Sequence, residues 1–190
     1  MRLFPRLAIA LFCAASTLAV HAQQSTLALG HGQAVSFAYD AAQGQISTSG
    51  LQLNPSKAKA NAVTPTTGTI DVTLTIATVT RFPRNTQFRC TVTAIGGILN
   101  LNNGTVDGGI ETVSGVATAA AGGGLTCSLA IPYSWTLPAG AGAQSGLILA
   151  YAVGATNVHD GPIRSSLQLD GIENLPANGA TSNFAFDVTL

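Results

Sequence analysis

The stretch Gly68-Thr-Ile-Asp-Val-Thr-Leu-Thr-Ile-Ala-Thr-Val-Thr80 decides the fold class. Ile70, Val72, Leu74 and Ile76 alternate with Thr69, Asp71, Thr73 and Thr75. A period of two with β-branched residues on both faces specifies a strand with one side buried. Beyond a turn marked by Pro83, Gln87–Ala94 repeats the pattern with Phe88, Cys90, Val92 and Ala94 inward. Leu125, Cys127, Leu129 and Ile131 do the same in a third segment. Each cysteine is in phase with the inward residues of its own strand, which places a disulfide in the core.

Outward from these three segments, further strands read at Ala34–Tyr39, Gln45–Leu53, Ile98–Leu101, Ile110–Thr118, Gly146–Val153, Arg164–Leu169 and Asn183–Leu190. Gly, Pro, Asn and Asp clusters separate them, and Asn102-Asn-Gly104 has the composition of a tight hairpin turn. The expected architecture is all-β: a single antiparallel sandwich, immunoglobulin-like or Greek-key, of about 8–10 short strands. The small-residue runs Ala117–Gly124 and Ala139–Ser145 read as loops.

The chain opens with a basic start (Arg2, Arg6), an apolar run Leu7–Leu18 and a small-residue end at Val20-His21-Ala22. This is the pattern of a secretory signal peptide cut after Ala22, leaving residues 23–190 as one domain. The run of about a dozen apolar residues is short of the roughly 20 that a bilayer-crossing helix needs. Cys13 follows Phe12 rather than a small residue, so it reads as part of the leader and not as a lipid anchor. Cys90 and Cys127 remain, and in the oxidising compartment that an exported chain meets, an even pair reads as a disulfide. The protein is expected in the periplasm, at the cell surface or outside the cell.

The chain carries 8 basic and 8 acidic residues, and charged side chains make up 8% of it against about 25% in a typical globular protein. Arg2 and Arg6 leave with the leader, so the mature part is slightly acidic and has no basic stripe for nucleic acid. Its surface must consist of Thr, Ser, Asn, Gln, Gly and Ala, which repels neighbours weakly and tolerates close association.

Chemistry-bearing constellations are sparse. His31 sits between two glycines, and His159-Asp160-Gly161-Pro162 pairs a histidine with a carboxylate in a sequence that is also ordinary turn chemistry. Gly142-Ala-Gln-Ser-Gly146 places its serine one position late for a nucleophile elbow. Asn102, Asn103, Asp107 and Glu111 bring oxygens to one Gly-rich stretch, as calcium prefers, without the regular spacing of charged ligands. No catalytic set, cofactor or metal is therefore expected. Tyr133, Trp135 and Tyr151 form the candidate binding surface, since aromatic rings with polar tips stack on sugars or peptides; the competing reading is packing over the disulfide.

The leader, the N-terminal alternation of Leu27, Leu29, Val35, Phe37 and Tyr39, the single cysteine pair and the terminal Phe184-Ala-Phe-Asp-Val-Thr-Leu190 resemble bacterial pilus subunits. Those are immunoglobulin-like sandwiches completed by a neighbour's strand. Cys90 lies deeper in the chain than the first cysteine of such subunits, and Val188-Thr-Leu190 stands where they carry a tyrosine. The low charge, the leader and the lack of a catalytic set point to a non-catalytic exported structural or interaction module. The resemblance implies one form of it, a surface or pilus-like assembly subunit whose partners are itself or other exported proteins. Two alternatives are a small carbohydrate- or peptide-binding module and a small outer-membrane β-barrel. If the leader reading holds, N-terminal sequencing of the exported protein begins at Gln23; a start elsewhere shifts the mature boundary.

Overall fold

The computed structural model describes residues 22–30, 32–54, 62–100, 103–121, 123–138 and 145–190, and these residues are all-β without a helix. Twelve strands run in chain order: β1 (Gln23–Gly30), β2 (Gln33–Asp40), β3 (Gln45–Ser49), β4 (Gln52–Leu53), β5 (Ala62–Ala77), β6 (Thr86–Asn100), β7 (Thr105–Val116), β8 (Thr118–Ala119), β9 (Leu125–Pro138), β10 (Ser145–Asn157), β11 (Gly161–Asn174) and β12 (Thr181–Thr189). They form three sheets, ordered β1-β2-β3, β11-β10-β6-β7-β4 and β12-β5-β9-β8. The pairings are antiparallel except β12 with β5 and the short β4 with β7, which are parallel.

The alternation in β5 does what its sequence requires. Ile70, Val72, Leu74 and Ile76 are buried, and opposite them on β9 lie Ile131, Leu129, Cys127 and Leu125. Across the sandwich, β6 supplies Cys90, Val92 and Ala94, and β10 supplies Leu147, Leu149, Tyr151 and Val153. The Cys90–Cys127 disulfide joins β6 of the five-stranded sheet to β9 of the four-stranded one, with Cα atoms 6.5 Å apart. It clamps the two sheets from inside their shared core.

The sandwich has a third layer. Ile95 of β6, Ile148, Ala150 and Ala152 of β10 and Leu167 of β11 pack with Leu29, Val35, Phe37 and Tyr39 of the N-terminal meander β1-β2-β3 in a second core. The five-stranded sheet is thus covered on both faces. β10 is buried from Gly146 to Ala155, and β6 from Cys90 to Gly97. The run Leu147-Ile-Leu-Ala-Tyr-Ala-Val153 fits this position, since a strand covered on both sides reads as continuously apolar. Thr91 and Thr93 break the pattern in β6, yet both are buried and hydrogen-bonded. The Thr91 hydroxyl donates to the Gly44 carbonyl at 2.7 Å and lies 3.0 Å from Ser114 Oγ, while Thr93 pairs with Thr112 at 2.8 Å. The Gly44 contact pins the β2–β3 turn to the middle sheet, because a buried carbonyl left without a donor would cost about 1–3 kcal/mol.

The barrel alternative requires one sheet closed around a lumen. The described strands instead form three open sheets stacked face to face over two apolar cores. No helix among the described residues is long and apolar enough to cross a membrane. The Asn102-Asn-Gly104 turn joins β6 to β7: Gly104 takes φ 66° and its N–H donates to the Asn100 carbonyl, while Asn102 lies outside the described residues.

Two measurements test these cores. Replacing both cysteines by alanine is expected to lower unfolding free energy by about 4 kcal/mol, read as a lower urea midpoint. Tyr39, fully buried in the second core, has its pKa raised above the ordinary 10.0 by burial; Thr91 and Arg89 act the other way and Asp40 adds to it. Above pH 10 the unfolded chain therefore sheds a phenolic proton that the folded chain retains, so stability present below that pH is lost as pH rises toward the folded value. Tyr39→Phe is expected to reduce this alkaline loss, measured by urea unfolding across pH 8–11, with a change of only about 1 kcal/mol at neutrality.

Candidate functional site

Tyr133, Trp135 and Tyr151 do not form a surface: they are 4%, 2% and 7% exposed and belong to the core that holds the disulfide. Strand β9 turns Tyr133 and Trp135 inward, and their rings stack with centroids 4.3 Å apart. The indole lies against Gly96 of β6 and Gly109 of β7, which face each other in register. A Cβ on either glycine would overlap the ring, so the missing side chains make the space the tryptophan fills. The Tyr133 hydroxyl and the Trp135 Nε1 are buried without a hydrogen-bond partner among the described residues, and burial raises the Tyr133 pKa. Tyr151 stacks on Phe186 at 4.2 Å and donates from its hydroxyl to Gln168 Oε1 at 3.0 Å. Its pKa is raised by burial and, less, by the charge of Asp170. Packing is the reading that this geometry supports, because none of the three rings presents a face to solvent.

The other sequence candidates fall on turns and strand surfaces. His159 is exposed in the turn between β10 and β11; its backbone N–H donates to Asn157 Oδ1 at 2.9 Å, and Asn157 Nδ2 donates to the Arg84 carbonyl at 3.0 Å. That arrangement orders a turn through its asparagine. Asn103 spends its side-chain oxygen on the backbone and hydroxyl of Thr105, at 3.1 and 2.8 Å. Asp107 and Glu111 lie on β7, and among the described residues no three His, Cys, Asp or Glu side chains gather as a metal would need. A shallow depression of about 350 Å³ on the outer face of the four-stranded sheet is lined by Asp71, Thr73, Ser128, Ala130 and Asn183. A cleft of about 210 Å³ runs between Tyr39, Asp40, Ala41, Pro162 and Ser165. Neither brings together an acid, a base and a nucleophile.

A different feature stands out at β12. It lies at the end of its sheet and pairs with β5 from Thr181↔Thr69 to Thr189↔Ala77 with no slip in register. The Ala180 carbonyl accepts from Thr69 N–H at 3.1 Å, and Leu190 both donates to Ala77 and accepts from Val79, each at 2.9 Å. A parallel strand uses alternate residues toward one neighbour, so even-numbered residues spend their backbone groups on β5. Thr181, Asn183, Ala185, Asp187 and Thr189 then direct N–H and C=O to the side on which no described strand pairs.

Such rows of unpaired groups are ordinarily blunted by proline, basic residues, bulges or brevity. The other outer strands show these devices. β11 carries Pro162, Arg164 and two register shifts against β10. β3, β4 and β8 have five, two and two residues, and β1 has a register shift at Ala28–Gly30. β9 carries Pro132 and is partly covered by β8. β12 has none of them, and Phe184 and Phe186 behind its edge are only half-buried. Sequence reasoning identified the strand but not its place, since sheet order depends on pairing with a segment over a hundred residues away. Comparison with known protein families, with curated proteins and with solved structures finds no match.

Proposed function

We propose that this chain is an exported, non-catalytic structural or interaction module that binds an exported partner by strand addition at β12. The observation that carries this reading is the β12 edge itself: nine residues in unbroken register, without proline, basic residue or bulge. Strand addition takes its affinity from main-chain hydrogen bonds and its selectivity from alternate side chains. Here the open backbone supplies the first, and half-buried Phe184 and Phe186 supply an apolar margin for the second. The low charge supports close association, because little electrostatic repulsion opposes it. A surface or pilus-like assembly subunit is one form of such a module.

A photoreactive amino acid at Asn183, in the protein expressed with its leader, tests this. A discrete adduct with an exported protein is expected, lost when Ala185 is also replaced by proline and absent when the photoreactive group sits at exposed Val158. Equal labelling at Val158, or no adduct at Asn183, would remove the support for the edge as a binding surface.

A further inference from the structure

Resting on that reading, we infer that the partner at β12 is a second copy of the same chain, paired antiparallel about a twofold axis through Ala185. The backbone groups facing the open side belong to Thr181, Asn183, Ala185, Asp187 and Thr189, as the Leu190 and Ala180 hydrogen bonds to β5 fix. In an antiparallel ladder, opposed residues alternate between pairs that exchange two hydrogen bonds and pairs that exchange none. An axis through any residue of β12 sets odd-numbered residues opposite odd-numbered ones, and so outward donors opposite outward acceptors. An axis at Ala185 is the one that uses the whole strand.

The side chains agree with that register. About Ala185, Thr181 opposes Thr189 of the second copy, and Asn183 opposes Asp187, so each carboxylate meets an amide rather than another carboxylate. Moving the axis to residue 187 would set the two Asp187 side chains against each other, and like charges directly opposed destabilise a sheet. On the core-facing side, Phe184 opposes Phe186 in the non-hydrogen-bonded positions, where side chains approach most closely. Within one copy, Phe184 and Phe186 already lie 6.2 Å apart and Phe186 stacks on Tyr151. Pairing extends this aromatic row across the axis and covers both half-buried rings. The alanine pair on the axis leaves the backbones free to close. The product is one continuous eight-stranded sheet with two identical, self-complementary halves, as closed twofold symmetry requires.

Sedimentation of residues 23–190 is the test. The wild-type protein is expected to dimerise, and Ala185→Pro to raise the dimer dissociation constant by at least about tenfold, since it deletes the two N–H donors on the axis. Proline there removes no hydrogen bond to β5, so unfolding of the monomer should be little changed. If that variant fails to fold, Asn183 decides: Asn183→Asp sets carboxylates opposite Asp187 and is expected to weaken the dimer by about 3- to 10-fold, whereas Asn183→Lys tightens it. A wild-type protein that remains monomeric at about 100 µM overturns self-pairing. So does a dimer indifferent to all three substitutions. A monomer that still forms the Ala185-dependent adduct at Asn183 with a different exported protein overturns only the self-pairing and leaves the module intact.

Discussion

The structure depends on one pairing, the antiparallel ladder of β6 with β10 at the centre of the five-stranded sheet. The ladder runs from Ser145↔Ile98 to Asn157↔Thr86 without a break, and both strands are covered from above and below. Every other layer is placed by what these two strands present. Even-numbered residues of β6 and odd-numbered residues of β10 build the core with the disulfide; their opposite phases build the core under the meander. A one-residue slip would exchange the two faces and put Thr91 and Thr93 into the disulfide core with nothing to bond them.

This arrangement explains how much could be read from the residues alone. The strands around Gly68–Thr80, Gln87–Ala94 and Leu125–Ile131 were legible because each has one apolar face. The inward phase of both cysteines made a core disulfide readable, though not whether it joined two sheets or neighbouring strands. The third layer was not. Thr91 and Thr93 look like solvent-facing residues, but their hydroxyls are met by Gly44, Ser114 and Thr112, and only a folded chain supplies those partners. The apolar run in β10 was legible as a strand, while the need to cover it on two sides shows only against the whole sheet order.

The aromatic residues teach a related lesson about sites. Tyr133 and Trp135 attract attention because polar tips on large rings suit binding, yet their tips are buried and, among the described residues, unpartnered. The signal for burial was present in the glycines: Gly96 and Gly109, on the two strands of the β6–β7 hairpin, oppose each other and leave a slot of aromatic width. The edge at β12 had the reverse character. Its residues are unremarkable in type, and its significance comes from what they lack.

The meander has a consequence for the order in which the molecule is made. β1 to β3 leave the ribosome before the other described strands, carrying Val35, Phe37 and Tyr39, whose resting place is the far side of β6 and β10. That surface does not exist until the chain has emerged past Asn157. β5 waits longer still for its outer neighbour, since β12 contains Thr181–Thr189. Contacts so distant in sequence fold slowly and leave apolar strands uncovered in the interval. Among the described residues Cys90 and Cys127 are the only cysteines, so within them oxidation joins β6 to β9 without sorting among alternatives.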